Sequence, residues 1–170
     1  PTKAISRTSN WLTKPGRWKD NGGDQRFSDQ RLSQLKFSLA LAADHRAKLI
    51  SDSQPLQQAA KATARQQQAD GSWELDTGGI VASPITYGRY LGTALGKHLL
   101  QQVDPKTFSI HISRAEKWLR HSRPHAIQDL SGLMIGLAES QAAAALKQLD
   151  RCQQLLRTAQ APAGGWGPLA

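Results

Sequence analysis

The sequence predicts an all-α protein laid out as an array of helical hairpins, and three observations predict it. Apolar residues recur every three or four positions, in sets such as Leu32, Leu35, Leu39 and Ala42 or Ile127, Leu130, Met134 and Leu137. That is the spacing of one helix face. Alternating strand patterns are nearly absent, TFSIHIS at 107–113 being the one competitor. A turn made of glycine and tryptophan also returns along the chain, as Leu12…Gly16-Arg17-Trp18, Gln67…Gly71-Ser72-Trp73 and Gln160…Gly164-Gly165-Trp166.

The elements follow in order. Helices are expected near 3–14, 28–46, 54–68, 84–101, 108–121, 125–139 and 144–159. Ser53 with Pro55, and Ser83 with Pro84, supply helix starts, because a missing N–H costs nothing in the first turn. Asp104-Pro105 and Arg123-Pro124 read the same way, and a helix from about Ser109 is preferred to a strand at 107–113. Tyr87, Leu91, Ala94 and His98 mark the face of the fourth helix; Leu149, Cys152 and Leu156 mark that of the last. The helices near 3–14, 54–68, 108–121 and 144–159 carry one apolar stripe and a face rich in Gln, Lys and Arg, so they are expected outside. Those near 28–46, 84–101 and 125–139 are apolar over a wider arc and are expected inside. The repeats then run approximately 1–50, 51–103, 104–142 and 143–170, about three and a half hairpins in one domain.

Each glycine–tryptophan turn joins an outer helix to the next inner one. The tryptophans stand about 55 and about 93 residues apart, the second interval close to two repeat units. A degenerate copy should fall near 119, where WLRHSRPHA places Trp118-Leu119 as an echo of Trp11-Leu12. Gly71 and Gly164 let the chain leave a helix through a left-handed turn. The glutamine amides of Gln67 and Gln160 are expected to satisfy helix-terminal groups. The indoles of Trp18, Trp73 and Trp166 are expected to cover the next hairpin, each with some 150–250 Å² to bury. These residues are read as staples.

Gln-x-x-x-Gly-x-Trp at the end of an outer helix resembles the QW motif of the terpenoid cyclase and protein prenyltransferase α/α-toroid family. Residues 67–73 and 160–166 match it fully; the first copy has Leu12 in place of Gln, and the third lacks Gly-x-Trp. The resemblance implies an incomplete α/α toroid. It implies little about chemistry, since cyclases, prenyltransferases, thioester domains and polysaccharide-acting enzymes share the architecture. The proton-donating Asp-rich motif of squalene and hopene cyclases has no counterpart beyond ELD at 74–76. Cys152 lacks the Asp and His of a prenyltransferase zinc site, and no Cys-Gly-Glu-Gln string occurs.

Composition narrows the partners. Lys+Arg number 22 against 13 Asp+Glu, a formal charge of +9, yet the cations lie on several elements without a run of five or six. Nucleic acid is therefore not the expected partner, and a solvated basic surface is. One cysteine excludes a disulfide framework. No apolar run approaches the roughly 20 residues of a membrane span, so the chain is not expected to be transmembrane. It begins at Pro1 and not at Met, and is expected to be a processed or excised segment whose compartment stays open.

No cofactor or metal is expected. His121 and His125 have the spacing of a ligand pair, but Pro124 breaks the helix between them; His45, His98 and His111 are read as surface or inter-helix residues. Glycines at 88, 92 and 96, and at 132 and 136, fall on one side of their helices, which suits close packing or, alternatively, a widened cavity. In the cavity reading Tyr87, Arg89, Tyr90, His125 and Asp129 form a ligand-facing rim for an apolar or polymeric ligand. The sequence thus predicts a binding or scaffolding module without complete catalytic machinery, prone to self-association through the open edges of its ring. The alternatives are a non-catalytic portion of an isoprenoid cyclase or polysaccharide lyase, and a basic module for acidic polymers.

Overall fold

The computed structural model describes residues 2–21, 30–75 and 88–166. Among them all regular structure is helical. Helices α1 (Lys3–Leu12), α2 (Gln30–Arg46), α3 (Gln54–Arg65), α4 (Gly88–Val103), α5 (Ser109–His121), α6 (Ile127–Leu137) and α7 (Ala143–Thr158) follow in order, with a 3-10 helix at Pro15–Asn21. None is long and apolar enough to cross a membrane.

The helices form two rows. In one row α2, α4 and α6 pack consecutively, and α4 lies most extensively on α6. The other row is α1, α3, α5 and α7, each packed on its neighbours in the first: α3 and α5 both flank α4, and α7 flanks α6. The two rows have the same members as the two sets expected from apolar arc width, and the cause of their packing is visible in the cores. Trp18, Leu41, Ala42, Leu56 and Leu99 join the first two hairpins, while Trp73, Leu100, Phe108 and Ala115 gather around α4. Leu119, Leu130, Leu133, Leu137, Ala145 and Cys152 close the far end.

Several local expectations change. Asp104 and Pro105 do not open a helix directly; Asp104 Oδ1 accepts from the N–H groups of Lys106 and Thr107, at 3.1 and 3.0 Å, and organises a turn from which α5 leaves at Ser109. Pro124 likewise sits in the extended link before α6, which begins at Ile127. The start expected at Ser83-Pro84 lies outside the described residues. Gly16 adopts no left-handed conformation, unlike Gly71 and Gly164; it sits in the 3-10 helix with nothing near its Cα side.

The glycine ridges serve close approach. A Cβ on Gly96 would lie 2.8 Å from the Trp73 ring, and one on Gly92 would lie 3.0 Å from the Trp73 carbonyl oxygen. On α6, Gly132 meets the backbone of Tyr90 and Leu91, so that α4 and α6 approach there without an intervening side chain, while Gly136 makes room for the Leu119 side chain of α5.

Candidate functional site

The turn at 67–73 is built by a closed set of hydrogen bonds. Gln68 N–H donates to the Ser72 carbonyl (2.8 Å) and Gly71 N–H to the Gln68 carbonyl (3.0 Å), with Gly71 at φ +98°. Gln67 Nε2 reaches forward to the Gly71 carbonyl (2.9 Å), and Trp73 Nε1 reaches back ten residues to the Thr63 carbonyl in α3 (2.7 Å). The turn at 160–166 reproduces each bond at the corresponding position. Ala161 N–H donates to Gly165 O and Gly164 N–H to Ala161 O, both at 2.8 Å, with Gly164 at φ +86°. Gln160 Nε2 donates to Gly164 O (2.9 Å), and Trp166 Nε1 reaches back ten residues to Leu156 O (2.8 Å). The motif therefore encodes one folding unit, twice.

What surrounds the two copies differs. Trp73 is 2% exposed, under the α4 ridge, while Trp166 is 51% exposed. Thr93 Oγ1 accepts from Trp73 N–H at 3.0 Å. Helix α5 completes the cover. Its Arg114 guanidinium caps the carbonyls of Ala69 (2.6 Å) and Gln68 (3.3 Å). The His111 carbonyl accepts from Gln67 Nε2 at 2.9 Å, and His111 Nδ1 lies 2.8 Å from Gln67 Oε1. Because an amide oxygen only accepts, that ring nitrogen carries the proton. The first copy is looser: with Leu12 in place of Gln no amide clamps the turn, and Trp18, though buried against Phe37 at 5.8 Å, leaves its Nε1 without a partner.

The rim residues expected from sequence come together in part. Arg89 donates to Asp70 Oδ2 (2.6 Å) and Ser72 Oγ (2.7 Å), and its guanidinium lies 5.5 Å from the centre of the Trp118 ring. Tyr90 meets the same indole at 5.0 Å. Asp129 Oδ2 accepts from the N–H groups of His125 and Ala126, at 3.0 and 3.2 Å, capping α6. Arg89 and Tyr90 thus flank Trp118, and Asp129 is near enough to Tyr90 for its charge to act on the phenol; His125 enters through its backbone, and Tyr87 lies outside the described residues. Burial alone would raise the Asp70 carboxyl, but the Ser72 donors and Arg89 outweigh it and hold it below the usual carboxylate value. Desolvation first, then the charge of Asp129, pushes the Tyr90 phenol up to about 12. Arg89 thus ties the turn, through Asp70 and Ser72, to α4 and to Trp118 of α5, while Asp129 caps its own helix α6.

Sequence reasoning missed Asp70, Ser72, Arg114 and, most of all, Lys97. Lys97 is buried between helices, its Nζ donating to the Gly136 carbonyl at 2.8 Å and lying 3.7 Å from Glu116 Oε2. Ser140 Oγ donates to the other oxygen of Glu116 at 2.6 Å. Nothing in a lone lysine signals this; its place four residues past Thr93 and one past Gly96, on a packed ridge, is the only hint. Two open depressions remain on the N-terminal side. A cleft of about 360 Å³ lies between α1 and residues 48–52, and a groove of about 230 Å³ is lined by Arg7, Asn10, Trp11, Lys14 and Arg17.

No protein-family model matches the chain, and no curated protein or solved structure is similar to it. The likeness to the cyclase and prenyltransferase toroids stands on the turns alone.

Proposed function

We propose that this chain is a repeat domain of the incomplete α/α-toroid type that acts as a binding or scaffolding module, its last turn docking a further helical surface. One observation carries the reading. The same turn occurs twice, and in one copy Trp73 is sealed by α4 and α5 while in the other Trp166 stands half in water. The sealed copy specifies what the open one accepts: a helix with small residues four apart, a hydroxyl beside the first of them, and a cation for the turn carbonyls. Burial of apolar surface is worth roughly 25 cal/mol per Å², so covering one indole and its neighbours supplies a few kilocalories.

The occupant we favour is a second copy of the chain. Helix α6 exposes Ser131, Ile135 and Ala138, small or apolar groups of the kind that cover Trp73. Two such edges bury each other in a closed pair, and a closed interface of this kind is the commonest form of assembly. Light scattering of the full chain at high micromolar concentration, beside its Trp166→Ser variant, tests the reading. A dimer weakened by the substitution is expected; monomers of equal stability in both would discard it.

A further inference from the structure

Counted along the sequence, the positive charges are spread over many elements, which argued against a polyanion partner. The fold concentrates one set of them. Lys3, Arg7, Asn10 and Lys14 stand at i, i+4, i+7 and i+11, one line along α1 and its exit, and all four are exposed. Arg17 in the 3-10 helix extends the line. No Asp or Glu occurs before Asp20. Among the described residues no carboxylate lies within ion-pair distance of Lys3, Arg7 or Lys14.

The stripe is not a bare row of cations. Arg7, Asn10, Lys14 and Arg17 border the groove of about 230 Å³ together with Trp11. That indole is fixed, meeting Phe37 at 5.0 Å with the ring planes 83° apart. Lys3, Arg7 and Lys14, like charges in one line without counter-charges, repel one another, and a linear polyanion relieves that repulsion while releasing its own counterions. At 1.5 Å per residue the line from Lys3 to Lys14 extends about 16 Å, longer than one small anion uses. The aromatic wall adds a second requirement, a ligand with flat faces to stack as well as charges to pair. Leu12 and Ile5 sit on the opposite side of α1, Leu12 buried and Ile5 lining the other cleft. A membrane-surface helix would instead leave its apolar face to the lipid.

We propose that this groove binds single-stranded nucleic acid, with phosphates along Lys3, Arg7 and Lys14 and a base against Trp11. Charge complementarity and an aromatic platform in one groove are the two parts of sequence-tolerant single-strand recognition. The assignment is independent of the docking edge at Trp166, which lies at the other end of the chain.

Fluorescence anisotropy of the whole chain with a dye-labelled oligothymidine across a salt series tests it. Affinity is expected to fall steeply with salt. The Arg7→Ala/Lys14→Ala double variant is expected to bind about tenfold more weakly, with a log–log salt slope shallower by about 1.4 for two lost phosphate contacts. Trp11→Phe is expected to weaken the oligonucleotide severalfold, while Lys61→Ala/Lys106→Ala, on other elements, leaves it unchanged. Circular dichroism and thermal melting confirm that each variant is folded. A sulfated polysaccharide or anionic lipid vesicles bound as tightly as the oligonucleotide would overturn the assignment. So would equal loss in the Lys61/Lys106 control, or no binding at low salt.

Discussion

At the scale of single residues, context decides what a shared motif is worth. Trp73 and Trp166 make the same indole hydrogen bond to the helix ten residues back, yet one is 2% exposed and the other 51%. Trp73→Ala is expected to cost about 3–5 kcal/mol, the range for a buried aromatic replaced by alanine. Trp166→Ala is expected to change the stability of the monomer by no more than about 0.5 kcal/mol. Equilibrium denaturation at low protein concentration compares them, and equal losses would mean that the two turns are not sealed differently. Tyr90 offers a test at high pH. Its phenol is raised from 10.0 to about 12, so the fold favours the neutral form. The stability this contributes is full below about 10 and disappears as pH rises through about 12. A spectrophotometric titration is expected to show a late-ionising tyrosine that is lost in Tyr90→Phe. A single step near 10 in the native chain would contradict the burial. The sequence made both tryptophans legible, because glycine, glutamine and indole at fixed spacing are a local signal. It could not separate them, because burial is supplied by α4 and α5, not by the turn.

At the scale of elements, the contact between α4 and α6 is set by backbone approach. A Cβ on Gly132 would meet Leu91 N at 2.6 Å and the Tyr90 carbonyl carbon at 2.8 Å. Alanine gains up to about 1 kcal/mol of helix propensity over glycine, but backbone cannot move aside as a side-chain tip can. Gly132→Ala is therefore expected to destabilise by about 1–3 kcal/mol. Gly165→Ala meets nothing within 4 Å and is expected to be neutral. A stabilised Gly132→Ala in thermal melting would show that the two helices have room to part. Helix positions were legible from periodicity, and α5 begins at Ser109 as that pattern suggested. The proline starts at 105 and 124 were not, since an Asp104 turn and an Asp129 cap displaced them by several residues. The rim was half legible. Arg89, Tyr90 and Asp129 were suspected from their place at helix starts, but their partners Asp70 and Trp118 lie on other elements, and no local pattern joins residues that far apart.

At the scale of the whole molecule, the hairpins touch mainly their immediate neighbours, so stability accumulates along a line and the ends are its weak points. The two surfaces argued above belong to those ends: the Trp166 edge at one, the basic groove of α1 at the other. Between them sits Lys97. One amine on α4 holds the last turn of α6 by Gly136 and the carboxylate of Glu116 on α5, which Ser140 holds in turn. A chain stacked only by adjacent contacts can fray hairpin by hairpin, like a zip. Here the second and third hairpins share a bolt that passes through three helices, its ammonium buried. To draw α6 off α4 is to strand a buried ammonium and a helix carbonyl together, a costly loss. Fraying from the far end therefore stops at α4, and the middle of the molecule opens as one block or not at all.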